Sequence, residues 1–95
     1  MSGATLRNNT DRHRYELVAD DKVVGFVDYA VSGDTVIFQH TEVEPGHEGK
    51  GYGSTLAKQA LDDVVANNRK ILVRCRFIAA YVNRHPEYAS AVVAE

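Results

Sequence analysis

Four glycines crowd the stretch between an alternating strand and a helical pattern: Gly46, Gly49, Gly51 and Gly53, within the segment HTEVEPGHEGKGYG at 40–53. Without Cβ atoms in the way, backbone N–H groups can approach a ligand closely. The helix after the turn adds unpaired donors and a partial positive charge at its N-terminus. The turn is therefore an anion site, and its expected guest is a phosphate group.

The elements around it follow from hydrophobic period. Thr35 to Val43 alternates, with Val36, Phe38 and His40 on one face and Ile37, Gln39, Thr41 and Val43 on the other. Upstream, Arg12 to Ala19 reads as a strand with Tyr15 and Leu17 on one side, and Asp20-Asp21 makes a turn. Lys22 to Val31 is apolar at both parities, the pattern of a strand covered on both faces. Ser32-Gly33-Asp34 turns the chain again, so the three strands predict an antiparallel meander. From Ser54 to Asn68 the period becomes helical, with Leu56, Ala57, Ala60, Leu61, Val64 and Val65 on one stripe. Lys70 to Cys75 is a fourth strand, set parallel to the third by a right-handed crossover. Phe77 to Arg84 forms a short helix with Phe77, Ile78, Tyr81 and Val82 inward, which Pro86 stops. Residues 1–11 are polar and read as a flexible tail; 12–95 read as a single domain.

With 95 residues there is room for one core. A hydrophobic fraction of 44% excludes a chain disordered throughout, and a net charge of −2 with scattered basic residues argues against a nucleic-acid module. No apolar run reaches membrane-spanning length, and the first ten residues lack a secretory pattern. One cysteine allows no internal disulfide and suits a reducing cytoplasm, the expected location. No group of His, Cys, Asp or Glu has metal-ligand spacing, so no metal is expected.

Taken in order, HTEV, GKGYG, the lone Cys75 and YVNRHPEY resemble the GCN5-related N-acetyltransferase superfamily, and within it a small compact subgroup. The likeness covers about 12–88. It implies an α/β (α+β) minimal fold of that superfamily: a three-strand antiparallel meander, a parallel fourth strand joined by a crossover helix, and a short C-terminal helix. It also implies acetyl-coenzyme A as cosubstrate, with its pyrophosphate held by the loop Glu48-Gly49-Lys50-Gly51-Tyr52-Gly53 and the start of the helix at Ser54. Glu48 stands where the superfamily carries Gln or Arg; it places a like charge near the pyrophosphate, which Lys50 offsets in part. The pantetheine arm is expected in a gap between the two parallel strands. There it would pair with backbone groups of Glu42, Val43 and Glu44, one N–H steadying the thioester oxyanion.

Moving an acetyl group to an amine requires a base, an oxyanion donor and a proton for the departing thiolate. His40 lies near the end of its strand, and a histidine, with a model-peptide pKa of about 6.5, is the residue type that suits the base. Cys75 ends the strand across the expected gap. The resemblance implies either a Cys75–His40 pair forming an acetyl-cysteine or direct transfer with His40 as base. It also suggests Tyr81 as donor to the thiolate, although an aromatic at that spacing commonly fills core. Glu42 and Glu44 either draw a cationic amine toward His40 or are solvent-facing strand-end charge. Lys58, Arg69 and Lys70 are either contacts for the adenosine end or solvated surface. The acceptor is expected to be an amine, a protein or peptide suiting an open site, and the chain a monomer or weak homodimer. Two other readings stand: a coenzyme A-binding module without turnover, and a partner-binding scaffold.

Overall fold

The computed structural model describes residues 4–44 and 51–93. Five strands form one sheet in the order β1-β2-β3-β4-β5: Thr5–Asn9, Arg14–Ala19, Lys22–Ser32, Thr35–Val43 and Lys70–Val73. The first four run antiparallel, and β5 pairs parallel with β4 after the crossover through α1, Tyr52–Ala66. Helix α2, Arg76–Arg84, and a 3-10 segment, Pro86–Ala91, complete the order. Val92 then bridges in parallel to Ile71 beside β5.

One face of the sheet packs on α1 through Leu56, Ala57, Ala60, Leu61 and Val64, all buried. Against them lie Leu17, Val24, Val27, Val36, Phe38 and Ile71, each at most 2% exposed. Burying a side chain of this size stabilises by roughly 1.5–3 kcal/mol, so this inner face holds the fold. Val65, read as part of the helical stripe, is 42% exposed, and Phe77 of α2 is 39% exposed. On α2 only Ile78 and Tyr81 are buried. Asn67 caps α1 and Asn68 takes the left-handed turn at φ 59, as the Asn pair predicts.

Three features depart from the sequence reading. A fifth strand, β1, occupies part of the stretch read as a flexible tail. Its polar side chains find partners in the sheet: Arg7 Nε donates to Glu16 Oε1 at 2.9 Å, and Tyr29 donates to Asn8 Oδ1 at 2.7 Å. Second, β3 is not covered on both faces. Leu17 pairs with Gly25 and Val18 with Val23, so Val24 is an extra residue in the ladder. That bulge shifts parity, and one strand shows apolar residues at both phases. Third, β4 carries a bulge of its own. Phe38 pairs with Tyr29 and His40 with Asp28, leaving Gln39 as the extra residue. His40 therefore does not share a face with Val36 and Phe38. Beyond Gln39 the inward residues are Thr41 and Val43, opposite Val27 and Gly25.

Candidate active site

The bulge at Gln39 sets the geometry of everything near it. Before it, β4 is paired on both sides: Thr35–Phe38 lie against β5 through Lys70–Val73 as well as against β3. The last backbone link across that seam is Arg74 N–H to Phe38 O, at 2.9 Å. After it, β4 keeps β3 as partner to Val43, while the other chain turns off at Cys75 into α2. The two parallel strands thus part where the sequence reading expects a gap.

Across the gap the first contact is between side chains. Thr41 Oγ1 and Cys75 Sγ lie 3.1 Å apart, and Cys75 is 8% exposed. Thr41 is a residue that sequence reasoning passed over. Its placement depends on the bulge, which no composition or period signals. The backbone of β4 also sorts differently from expectation. Glu44 N–H donates to Val24 O at 2.8 Å, so it is already used by β3. By the alternation of an antiparallel ladder, Glu42 likewise turns its groups to β3, while Thr41 and Val43 turn theirs into the gap. Of Glu42, Val43 and Glu44, only Val43 offers main-chain groups there.

Glu48, Gly49 and Lys50 lie outside the described residues, as does His47. Gly51 is left-handed at φ 76 and ψ 10 and caps α1; the helix has no side-chain cap and no acidic residue in its first turn. Its first internal bond closes at Thr55 N–H to Gly51 O, 3.0 Å. Such a terminus has donors to offer an anion and no side-chain carboxylate of its own first turn to repel one. Tyr52 is the first helical residue and packs against the core, and Ser54 is exposed on the first turn. A Cβ at Gly53 would stand 2.8 Å from Phe77 Cζ, so the exposed Phe77 ring would have to shift to admit one.

His40 and Glu42 stand together on the outer face, Nε2 to Oε2 at 2.7 Å, both more than half exposed. An ionised carboxylate only accepts, so it fixes the proton on Nε2 and leaves Nδ1 with a lone pair. Around them, Arg14 donates to Asp28 at 2.6 Å and lies 3.9 Å over the Phe26 ring. The Phe26 and His40 rings are 6.2 Å apart. Beside Phe26 a depression of about 240 Å³ is lined by Glu16, Glu42 and Glu44. Burial alone would raise the Glu16 pKa, but hydrogen bonds from Arg7 and Asn9 outweigh it and hold the carboxyl below its ordinary range. This rim is acidic, with Arg14 occupied by Asp28.

The structure does not bring His40 and Cys75 together. Thr41, the thiol's neighbour, points to the helix side, and His40, one residue earlier, points to the other. Tyr81 stacks on His85 with centroids 3.9 Å apart and packs near Tyr88. Burial raises its pKa, so it is protonated at neutral pH; Lys58 opposes that shift, and Asp62 and Glu87 add to it. Lys58 pairs with Asp62 at 2.7 Å. Arg69 and Lys70 come after the C-terminus of α1, at the helix end far from Gly51, and lie away from any ligand of the turn. Among the described residues no three His, Cys, Asp or Glu cluster to hold a metal ion, and no helix is long and apolar enough to cross a membrane.

A parting pair of parallel strands in front of an uncapped helix is the architecture of one class of acyl-transfer proteins. The chain belongs to the GCN5-related N-acetyltransferase family, whose profile matches residues 14–91. Among curated proteins it is 35% identical over 89 residues to human Protein NATD1, covering 88% of this chain and 78% of the relative. It is 39% identical over 88 residues to NATD1 of Xenopus tropicalis, covering 87% and 80%. In fold it is similar to a GCN5-like protein of Staphylococcus aureus, with TM-score 0.72 and 20% identity over 100% of this chain and 93% of that one. It is also similar to the ribosomal-protein-S18-alanine N-acetyltransferase of Escherichia coli, with TM-score 0.59 and 20% identity over 67% and 43%.

Proposed function

We propose that the protein transfers an acetyl group from acetyl-coenzyme A directly to a primary amine, with His40 as general base. The observation that carries this is the opening of the β4–β5 seam after Gln39, facing the uncapped start of α1. The start of α1, which carries no side-chain cap, suits a pyrophosphate, and the gap suits an extended pantetheine arm. The arm would pair with main-chain groups of Val43 and Thr41, and an N–H there would meet the thioester oxygen as it gains charge.

The amine comes from the other face. Glu42 and Glu44 attract it as a cation, and His40 Nδ1 takes its proton, so that the free lone pair attacks the thioester carbon. The C–N bond forms and the carbonyl becomes an oxyanion; its collapse breaks the C–S bond, the nitrogen gives its remaining extra proton to water, and the thiolate takes a proton from Tyr81 or water. A direct route is favoured over an acetyl-cysteine because Cys75 touches Thr41, a neutral hydroxyl, and not a base that would make it a thiolate. The shallow, open rim suits an amine on a flexible polypeptide, and the lone thiol suits a reducing cytoplasm. The same chain is proposed to act as a monomer or weak homodimer.

Thermal shift with acetyl-coenzyme A, coenzyme A and adenosine diphosphate tests the binding half. Mass spectrometry of peptide amines incubated with acetyl-coenzyme A tests transfer. Absence of any shift at millimolar coenzyme A would sink the proposal as a whole. Binding without acetylated product would favour a coenzyme A-binding module. Cys75→Ala is expected to retain turnover, and its loss in that variant alone would restore the covalent route.

A further inference from the structure

Among the described residues, Phe77 is the one aromatic in the set of large apolar side chains left exposed, at 39%. It is the second residue of α2, two past Cys75, while Ile78 and Tyr81 supply the buried contacts of that helix. Its ring reaches across to the first turn of α1. A Cβ built on Gly53 would lie 2.8, 3.4 and 3.6 Å from Phe77 Cζ, Cε1 and Cε2, the carbons at the far end of the ring. The ring thus meets α1 with its tip, and end-on contact leaves ring face uncovered.

We propose, resting on the acetyl-coenzyme A reading, that the exposed face of Phe77 packs against the pantoyl unit of coenzyme A, so that the protein prefers the whole cofactor to its nucleotide half. Two ends fix the path of the arm. The pyrophosphate falls at the amides that open α1, that of Gly53 among them, and the sulfur falls in the gap that Thr41 and Cys75 border. Phe77 touches the first of these places and follows the second by two residues of chain. Its ring therefore borders the way between them.

The chemistry of the two walls matches the chemistry of the arm. On the β4 side Thr41 and Val43 offer main-chain donors and acceptors, which suit the two amides. On the α2 side Phe77 offers an apolar ring and no hydrogen bond. The first group of the arm after the pyrophosphate is the pantoyl unit, whose quaternary carbon carries two methyl groups; the rest is unbranched and narrower. Methyl groups set on an exposed ring take apolar surface of both out of water. The adenosine leaves the pyrophosphate on the side away from the gap.

The test uses the full chain with coenzyme A and adenosine diphosphate, read by NMR and calorimetry. Protons held over the face of an aromatic ring resonate upfield. With coenzyme A bound, the two pantoyl methyl signals should move upfield and show nuclear Overhauser contacts to the Phe77 ring. Phe77→Leu should keep most of the affinity and abolish the upfield shift. Phe77→Ala should weaken coenzyme A binding by about tenfold and that of adenosine diphosphate by less than about twofold. A ring that only props α2 on α1 would lower the melting temperature of the free Phe77→Ala variant and leave its coenzyme A affinity unchanged, which would overturn the proposal. Contacts from the ring to adenine protons, or an equal loss for adenosine diphosphate, would also overturn it. If coenzyme A fails to bind the wild-type protein, the acetyl-transfer reading falls and this assignment with it; if it binds with unshifted methyl signals, the assignment to Phe77 falls alone.

Discussion

The two halves of β4, the largely apolar Thr35–Phe38 and the more polar 40–43, belong to one strand and sit in different surroundings. Residues 35–38 have a strand on either side, and Val36 and Phe38 are sealed in the core. Residues 40–43 have β3 alone, with His40 and Glu42 exposed on one face and Thr41 meeting Cys75 on the other. One extra residue, Gln39, separates them. A bulge bends its strand and disrupts the local ladder, so the neighbouring strand cannot continue alongside it. The lesson is that the gap proposed for the cofactor arm costs no special side chain; it is a property of the backbone path.

If the first half is structural and the second chemical, substitutions in each should register in different measurements. The largest effect belongs to Phe38→Ala, expected to cost about 3–5 kcal/mol in denaturant unfolding, since the ring is fully buried. Two residues on, His40→Ala should lower kcat/KM for an acceptor peptide by roughly 10²–10⁴-fold. Its stability should change by less than about 0.5 kcal/mol, because the side chain is solvated. A stability loss comparable to that of Phe38→Ala would erase the contrast. Deleting Gln39 attacks the boundary itself. Phe38, Thr41 and Val43 keep their facing, but the ladder to β5 is free to continue. The stabilisation by acetyl-coenzyme A should vanish, a loss of about 2.7 kcal/mol at a hundredfold excess over Kd. A deletion variant that still shifts its melting temperature with the ligand would show that the bulge does not make the gap.

The smallest effect sharpens the comparison through pH. Glu16 lies on the outer face, and Arg7 and Asn9 hold its folded pKa below the unfolded value. It therefore contributes stability that is present above the ordinary carboxylate value of about 4.3 and lost as pH falls through the folded pKa. Glu16→Gln should flatten that acid limb of a stability–pH curve, while leaving Phe38→Ala equally destabilising at every pH. An unchanged acid limb would mean that the Arg7–Glu16 pair is not formed in solution.

Much of the frame is readable from residue order. The helical stripe from Leu56 to Val64, the Asn pair that ends it and the crossover to a parallel strand all follow from local period and turn chemistry, and all are found. The site was less legible. His40 and Cys75 look like opposing lips when β4 is taken as a regular strand, yet the bulge turns His40 to the far face and gives the thiol to Thr41. Glu44 looked available and is held by Val24. Each miss comes from parity: a single inserted residue reverses every later side chain and changes no composition.

β1 teaches the same point differently. Its sequence, Thr5–Asn9, has one large apolar residue and no alternation strong enough to announce a strand. It forms because β2 presents an open edge of backbone donors and acceptors, and because Glu16 and Tyr29 supply partners for Arg7, Asn9 and Asn8. Apart from β1, local chemistry along the chain decided which segments became helix or strand and in what sequence they join. Only the assembled sheet decided where the ladder breaks, which face each side chain serves and what borders the gap, because those depend on hydrogen bonds between segments far apart in the chain.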